Sequence, residues 1–220
     1  MIFSGPLIRA FHMIYGFEMQ LRYSLFSLKI MEIVSENKIK IGVLSVRSKI
    51  FAHRGSSGKY PENTMIAFKK AEADGADGIE LDVHLTRDQV PIVIHDETVD
   101  RTTDGYGFVK DYSIDGLKKL SAGHWKGWKF RNERIPTLEE VLQWMSKTPL
   151  TLLIEFKNNL LPYRGLEQKT LELLKKYNML ERTIFSSFNH QSLIKVKELY
   201  PAAETAALYS KPIANTSSYA

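Results

Sequence analysis

From residue 49 to residue 208, short apolar runs alternate with stretches of helical periodicity, and this limits the fold more than any other feature of the chain. Strands are predicted over residues 49–52, 78–85, 90–95, 150–156, 183–187 and 204–208. Helices are predicted over about 64–74, 113–120, 137–145, 165–177 and 190–199. The run over 150–156 is nearly all apolar, as a strand buried on both faces must be. Strand–helix alternation of this kind builds parallel βαβ units, so the expected class is α/β.

Helix boundaries carry their own chemistry. Pro61-Glu62-Asn63-Thr64 reads as a helix start, with Asn63 or Thr64 able to accept from orphan backbone N–H groups. Gly75 supplies the stop. Thr137, after Pro136, caps the helix over 137–145. The segments over 78–85 and 90–95 are separated only by the turn Arg87-Asp88-Gln89.

The first fifty residues differ from the rest. The net charge of +5 is not spread evenly, because residues 1–50 hold seven cations and three anions. The remainder is nearly neutral, which argues against a nucleic-acid-binding face. Glu18, Arg22, Lys29 and Glu32 interrupt the apolar runs there. No span of roughly 20 apolar residues is left to insert stably in a membrane, and the match to a secretory signal is poor. Phe17, Leu21, Leu25, Leu28 and Met31 recur at helical spacing, which fits an amphipathic helix. Residues 1–48 are read as an extension without catalytic residues, or as the product of a start assigned too early, with Met31 as a later one. Residues 49–220 are read as the catalytic domain. The absence of cysteine excludes disulfides and thiolate chemistry and fits a reducing compartment, so a cytoplasmic setting is expected.

The polar residues that interrupt the apolar strands cluster at strand C-termini: His53-Arg54, Glu80 and Asp82, His95, Glu155 and Lys157, and Ser186-Ser187. In a parallel barrel that end is the catalytic face. Glu80 and Asp82 are two apart, so they share a face of their strand, as do Glu155 and Lys157. Each acid lies among core-like neighbours, and a buried acid needs a partner. Three convergent carboxylates suit a hard divalent cation, Ca²⁺ or Mg²⁺. Arg54 and Lys157 at the same mouth suit a phosphate ester, and His53 and His95 suit general acid–base work. His84 shares the Glu80/Asp82 face and is placed just past the strand. His12, His124 and His190 are read as structural or solvent-facing.

His53-Arg54-Gly55, Pro61-Glu62-Asn63-Thr64, Gly78-Ile79-Glu80-Leu81-Asp82-Val83, His95-Asp96 and Arg101-Thr102-Thr103 together resemble the signature of glycerophosphodiester phosphodiesterases. Ile154-Glu155-Phe156-Lys157 and Phe185-Ser186-Ser187-Phe188 continue the match in the same order. The resemblance implies a TIM (β/α)₈ barrel and hydrolysis of small-molecule glycerophosphodiesters to sn-glycerol 3-phosphate and an alcohol, in glycerophospholipid and glycerol metabolism. It implies a metal held by Glu80, Asp82 and Glu155, an acid–base pair at His53 and His95, and phosphate contacts at Arg54 and Lys157. Glu62 belongs to the motif, in support of the metal or in a hydrogen-bonding role. A complete barrel takes about 250 residues, so the chain reads as a barrel truncated after its sixth strand. Such a remnant is expected to expose two strand edges, to be marginally stable and at best weakly active. A phospholipase-type activity on intact lipid and a non-catalytic truncated barrel remain as alternatives. The polar site loops disfavour the former, and Trp125, Trp128 and Phe130 favour it.

Overall fold

A computed structural model describes residues 48–210, together with the backbone of residues 20–22. Its strands are β1 (Gln20–Arg22), β2 (Ile50–His53), β3 (Gly78–Leu85), β4 (Pro91–Val93), β5 (Thr151–Phe156), β6 (Thr183–Ser187) and β7 (Glu204–Ala207). The helices are α1 (Met65–Ala73), α2 (Ile114–Leu117), α3 (Leu138–Met145), α4 (Leu166–Lys176) and α5 (His190–Leu199). The α/β class and the parallel barrel sheet are as the sequence implies. Strands β2, β3, β5, β6 and β7 lie side by side and parallel.

Two strands depart from expectation. β4 is antiparallel to β3, pairing Val83 with Val93 and Leu85 with Pro91, so the segment over 90–95 is a hairpin arm and no barrel strand. β1 is antiparallel to β2, with Leu21 opposite Phe51, where a helical stripe through Leu21 was expected. The extension therefore covers the β2 edge that was expected to be exposed. The rest of the predicted extension helix, and His12, lie outside the described residues.

Period-two alternation sorts the strand residues onto two faces. Ile79, Leu81 and Val83 of β3 and Leu152, Ile154 and Phe156 of β5 pack against Phe68 of α1, Leu138 and Leu142 of α3, and Leu166 and Leu174 of α4. The opposite face carries Phe51, Leu153, Ile184 and Ala206, joined by Leu208. Glu80, Asp82 and Glu155 occupy the same face nearer the strand C-termini. Both faces of β3 are thus buried along its whole length. Among the described residues, no helix is long and apolar enough to cross a membrane.

Local chemistry holds the frame. Thr137 and Glu140 form a reciprocal capping box at the start of α3. Gly55, with φ of 79°, lets the chain leaving β2 pass against α1. A Cβ at that position would stand 2.6 Å from the Ala67 carbonyl carbon.

Candidate active site

Strands β2, β3 and β5, with the residues that directly follow β2 and β5, place six of the site side chains. His53 ends β2 and lies in register with Glu80 on β3, and Asp82 lies in register with Glu155 on β5. One oxygen from each of Glu80, Asp82 and Glu155 falls within 4.8 Å of the others, and all three residues are buried. Arg54 and Lys157 follow the strands directly. The Arg54 N–H donates to the Glu80 carboxylate at 2.9 Å, and Arg54 Nε stands 3.4 Å from Asp82 Oδ2. Lys157 Nζ donates to Glu155 Oε1 at 2.8 Å and lies 3.8 Å from Asp82 Oδ1.

His95 arrives by a different route. Because β4 runs back along β3, the residues after it return to the level of Asp82, whose carbonyl accepts from the Ile94 N–H. His95 Nε2 then faces Lys157 Nζ at 3.1 Å, while Nδ1 is 2.5 Å from Asp96 Oδ1. A cleft of about 1060 Å³ opens over His53, Arg54, His95, Glu155 and Lys157, with Trp125 and Lys126 on its loop side. Cavities of this size admit a small organic ligand.

The electrostatics of the three acids are unequal. Burial, and then repulsion from Asp82 and Glu155, pushes the Glu80 carboxyl well above the usual range. Burial and Asp82 likewise push Glu155 up. Burial opposes the charge on Asp82 too, yet Arg54, His95 and Lys157, with the Asn63 amide, hold it below the ordinary value. Three carboxyls crowded into one buried site oppose one another's charge. The buried Asp82 Oδ1 accepts no hydrogen bond. Oxygen donors so arranged fit a divalent cation of the Ca²⁺ or Mg²⁺ type. Burial, helped by Arg54, lowers the His53 pKa to about 4, which keeps its imidazole neutral near pH 7.

Several neighbours take roles the sequence left open or misplaced. Thr64, and not Asn63, caps α1. Asn63, with φ of 54°, instead donates its amide to Asp82 Oδ2 at 2.8 Å. Glu62 lies outside the carboxylate cluster and accepts from Arg54 Nη1 at 2.9 Å and from both Arg101 Nη groups. His84 lies within β3, where it contacts the Tyr163 hydroxyl and the His95 carbonyl, each at 3.1 Å. The Ser186 and Ser187 hydroxyls donate to the Ile154 and Phe156 carbonyls and are spent on the sheet.

A family model described as the glycerophosphoryl diester phosphodiesterase family matches residues 53–219. The chain belongs to that family. It is 51% identical over 164 residues to a glycerophosphodiester phosphodiesterase of Caldanaerobacter subterraneus subsp. tengcongensis, covering 74% of this chain and 68% of the relative. A solved structure of an Oleispira antarctica phosphodiesterase, in complex with the product sn-glycerol-3-phosphate, is similar at a TM-score of 0.66 and 37% identity. That likeness covers 74% of this chain and 67% of the other. A glycerophosphodiester phosphodiesterase of Agrobacterium tumefaciens gives a TM-score of 0.66 at 34% identity, over 71% of this chain and 65% of that one. The chain spans about two thirds of the length of these relatives.

Proposed function

We propose that the protein hydrolyses glycerophosphodiesters to sn-glycerol 3-phosphate and an alcohol, with a divalent cation, Ca²⁺ or Mg²⁺, held by Glu80, Asp82 and Glu155. The observation that carries this reading is the convergence of those three carboxylates, one oxygen of each within 4.8 Å of the others, beside a cleft lined by Glu155, two histidines and two cations. The product bound in the Oleispira relative supports the same substrate class. The cysteine-free sequence fits a reducing, cytoplasmic compartment, and the substrate class fits glycerophospholipid turnover.

The substrate carries a hydroxyl beside the carbon that bears the phosphate ester. We assign His53, kept neutral by burial, as the base that takes the proton of that hydroxyl. Its oxygen forms a bond to phosphorus, giving a cyclic phosphate as the bond to the leaving alcohol breaks. His95 Nε2, which faces the cleft, returns a proton to the departing alkoxide, and water then opens the ring with the roles reversed. Arg54 and Lys157 hold the non-bridging phosphoryl oxygens. A cation held by Glu80, Asp82 and Glu155 would stabilise negative charge developing on the phosphoryl group. Glu62 orients Arg54 and sits outside the metal shell.

Turnover of glycerophosphocholine under added Ca²⁺ or Mg²⁺ tests this directly. Chelation is expected to abolish it, and Glu80→Gln or Asp82→Asn is expected to lower it by at least about 10²-fold. Both variants should retain a cooperative melt. Undiminished metal binding in the Glu80→Gln, Asp82→Asn double variant would overturn the metal assignment. Cleavage of intact glycerophospholipid in preference to glycerophosphocholine would favour the phospholipase reading.

A further inference from the structure

Asp96 and Arg101 stand behind the His95 ring, on the side away from Lys157. Asp96 Oδ1 lies 2.5 Å from His95 Nδ1. Arg101 donates through Nε to Asp96 Oδ2 at 2.7 Å and through Nη2 to Asp96 Oδ1 at 3.1 Å. The far side of the same guanidinium donates to Glu62, from Nη1 to Oε2 at 2.9 Å and from Nη2 to Oε1 at 2.7 Å. Glu62 in turn accepts from Arg54, which lies against Asp82. An unbroken chain of ion pairs therefore runs from the back of the His95 ring to the carboxylate cluster.

We propose that Asp96 is the positioning residue for His95 as general acid, and that Arg101 holds Asp96 in place by bridging it to Glu62. The inference rests on the hydrolytic reading given above. A carboxylate accepts only, so Nδ1 must carry a proton, and Nε2, which faces Lys157 Nζ at 3.1 Å, is the nitrogen on the cleft side that meets the substrate once Lys157 turns to the phosphate. When both nitrogens are protonated, the imidazolium is stabilised by the carboxylate behind it. As the phosphorus–oxygen bond to the alcohol breaks, the Nε2 proton passes to the alkoxide. The ring becomes neutral with Nδ1–H still on Asp96, so atoms and charge balance. Asp96 stays ionised throughout: burial opposes its charge, but the bonds from His95 and Arg101 hold its carboxyl far below the ordinary range. The planar guanidinium spans two carboxylates at once, which a lysine ammonium cannot reproduce.

A pair of substrates separates this role from a structural one. Glycerophosphocholine releases an alkoxide that needs a proton; the glycerophosphodiester of 4-nitrophenol releases a phenolate that leaves without one. Asp96→Asn is expected to lower kcat on glycerophosphocholine by roughly 10²-fold, at the lower end of a general acid's contribution. KM should hold within about twofold, and the single-turnover rate of nitrophenolate release from the nitrophenyl ester within about fivefold. Asp96→Glu should recover part of the loss. Arg101→Lys, at a half-exposed position that leaves the core untouched, should give the same selective loss at roughly tenfold. Equal losses on both substrates in Asp96→Asn and Arg101→Lys would overturn the assignment while leaving the hydrolytic reading intact. A wild-type chain inactive on both substrates would overturn the hydrolytic reading and this assignment with it.

Discussion

Gly55 shows how a single position ties backbone to chemistry. It follows His53-Arg54, has φ of 79°, and passes so close to α1 that a Cβ would meet Ala67 at 2.6 Å. Gly55→Ala is expected to cost roughly 1–3 kcal/mol through left-handed strain and crowding. It should also depress hydrolysis beyond what the lost stability explains, because the shift passes to His53 and Arg54. Chemical denaturation and kcat measured on the same sample check this, and an unchanged midpoint would count against it. The three acids could be found from sequence because period two on an apolar strand puts Glu80 and Asp82 on one side. Register then adds Glu155. Asn63 could not be found in that way. Its residue type suits a helix cap equally well, and only the left-handed turn at Asn63 sends its amide to Asp82. Arg101 was visible as a motif residue, but its partners are 5 and 39 positions away, a relation set by the fold alone.

Among the elements, β4 is where local reading and tertiary arrangement part. Its apolar run resembles the other strands, so periodicity alone cannot separate a barrel strand from a hairpin arm. The three-residue turn Arg87-Asp88-Gln89 did hold the distinction, since parallel neighbours need a crossover of a dozen residues or more. Gln89, with φ of 64°, completes the reversal. The consequence is functional, because the reversal is what returns His95 to the level of Asp82. Helix α3 illustrates the opposite case, where sequence and structure agree. Thr137 accepts from the Glu140 N–H at 3.1 Å, and the Glu140 carboxylate accepts from the Thr137 N–H at 2.7 Å. Glu140 also pairs with Lys118, tying α3 to the segment after α2. Thr137→Ala is expected to cost about 1 kcal/mol, read as a lower denaturation midpoint at unchanged slope. Because α3 packs on α4 and β4, none of its residues lines the cleft and the Thr137 backbone that meets β4 is unchanged, kcat should hold.

At the scale of the whole molecule the sheet's two borders are treated differently. Among the described residues β7 pairs only with β6, whereas β2 is flanked on its outer side by β1. Nothing in residues 17–31 signals this, because three residues pairing with a distant strand leave no periodicity of their own. The pairing joins Gln20, Leu21 and Arg22 to Ala52, Phe51 and Ile50. These partners immediately precede or belong to the strand that ends in His53, so the extension bears on the site through β2. Removing residues 1–48 should strip β2 of its outer ladder. At about 1 kcal/mol per net hydrogen bond, the loss is on the order of a few kcal/mol. The exposed N–H and C=O groups of β2 then become a template for another chain. The shortened protein is therefore expected to associate at concentrations where the 220-residue chain does not. Light scattering across a dilution series would reveal the difference, alongside a lowered melting temperature. Identical scattering and melting for the two chains would show that β1 contributes nothing to the edge it covers.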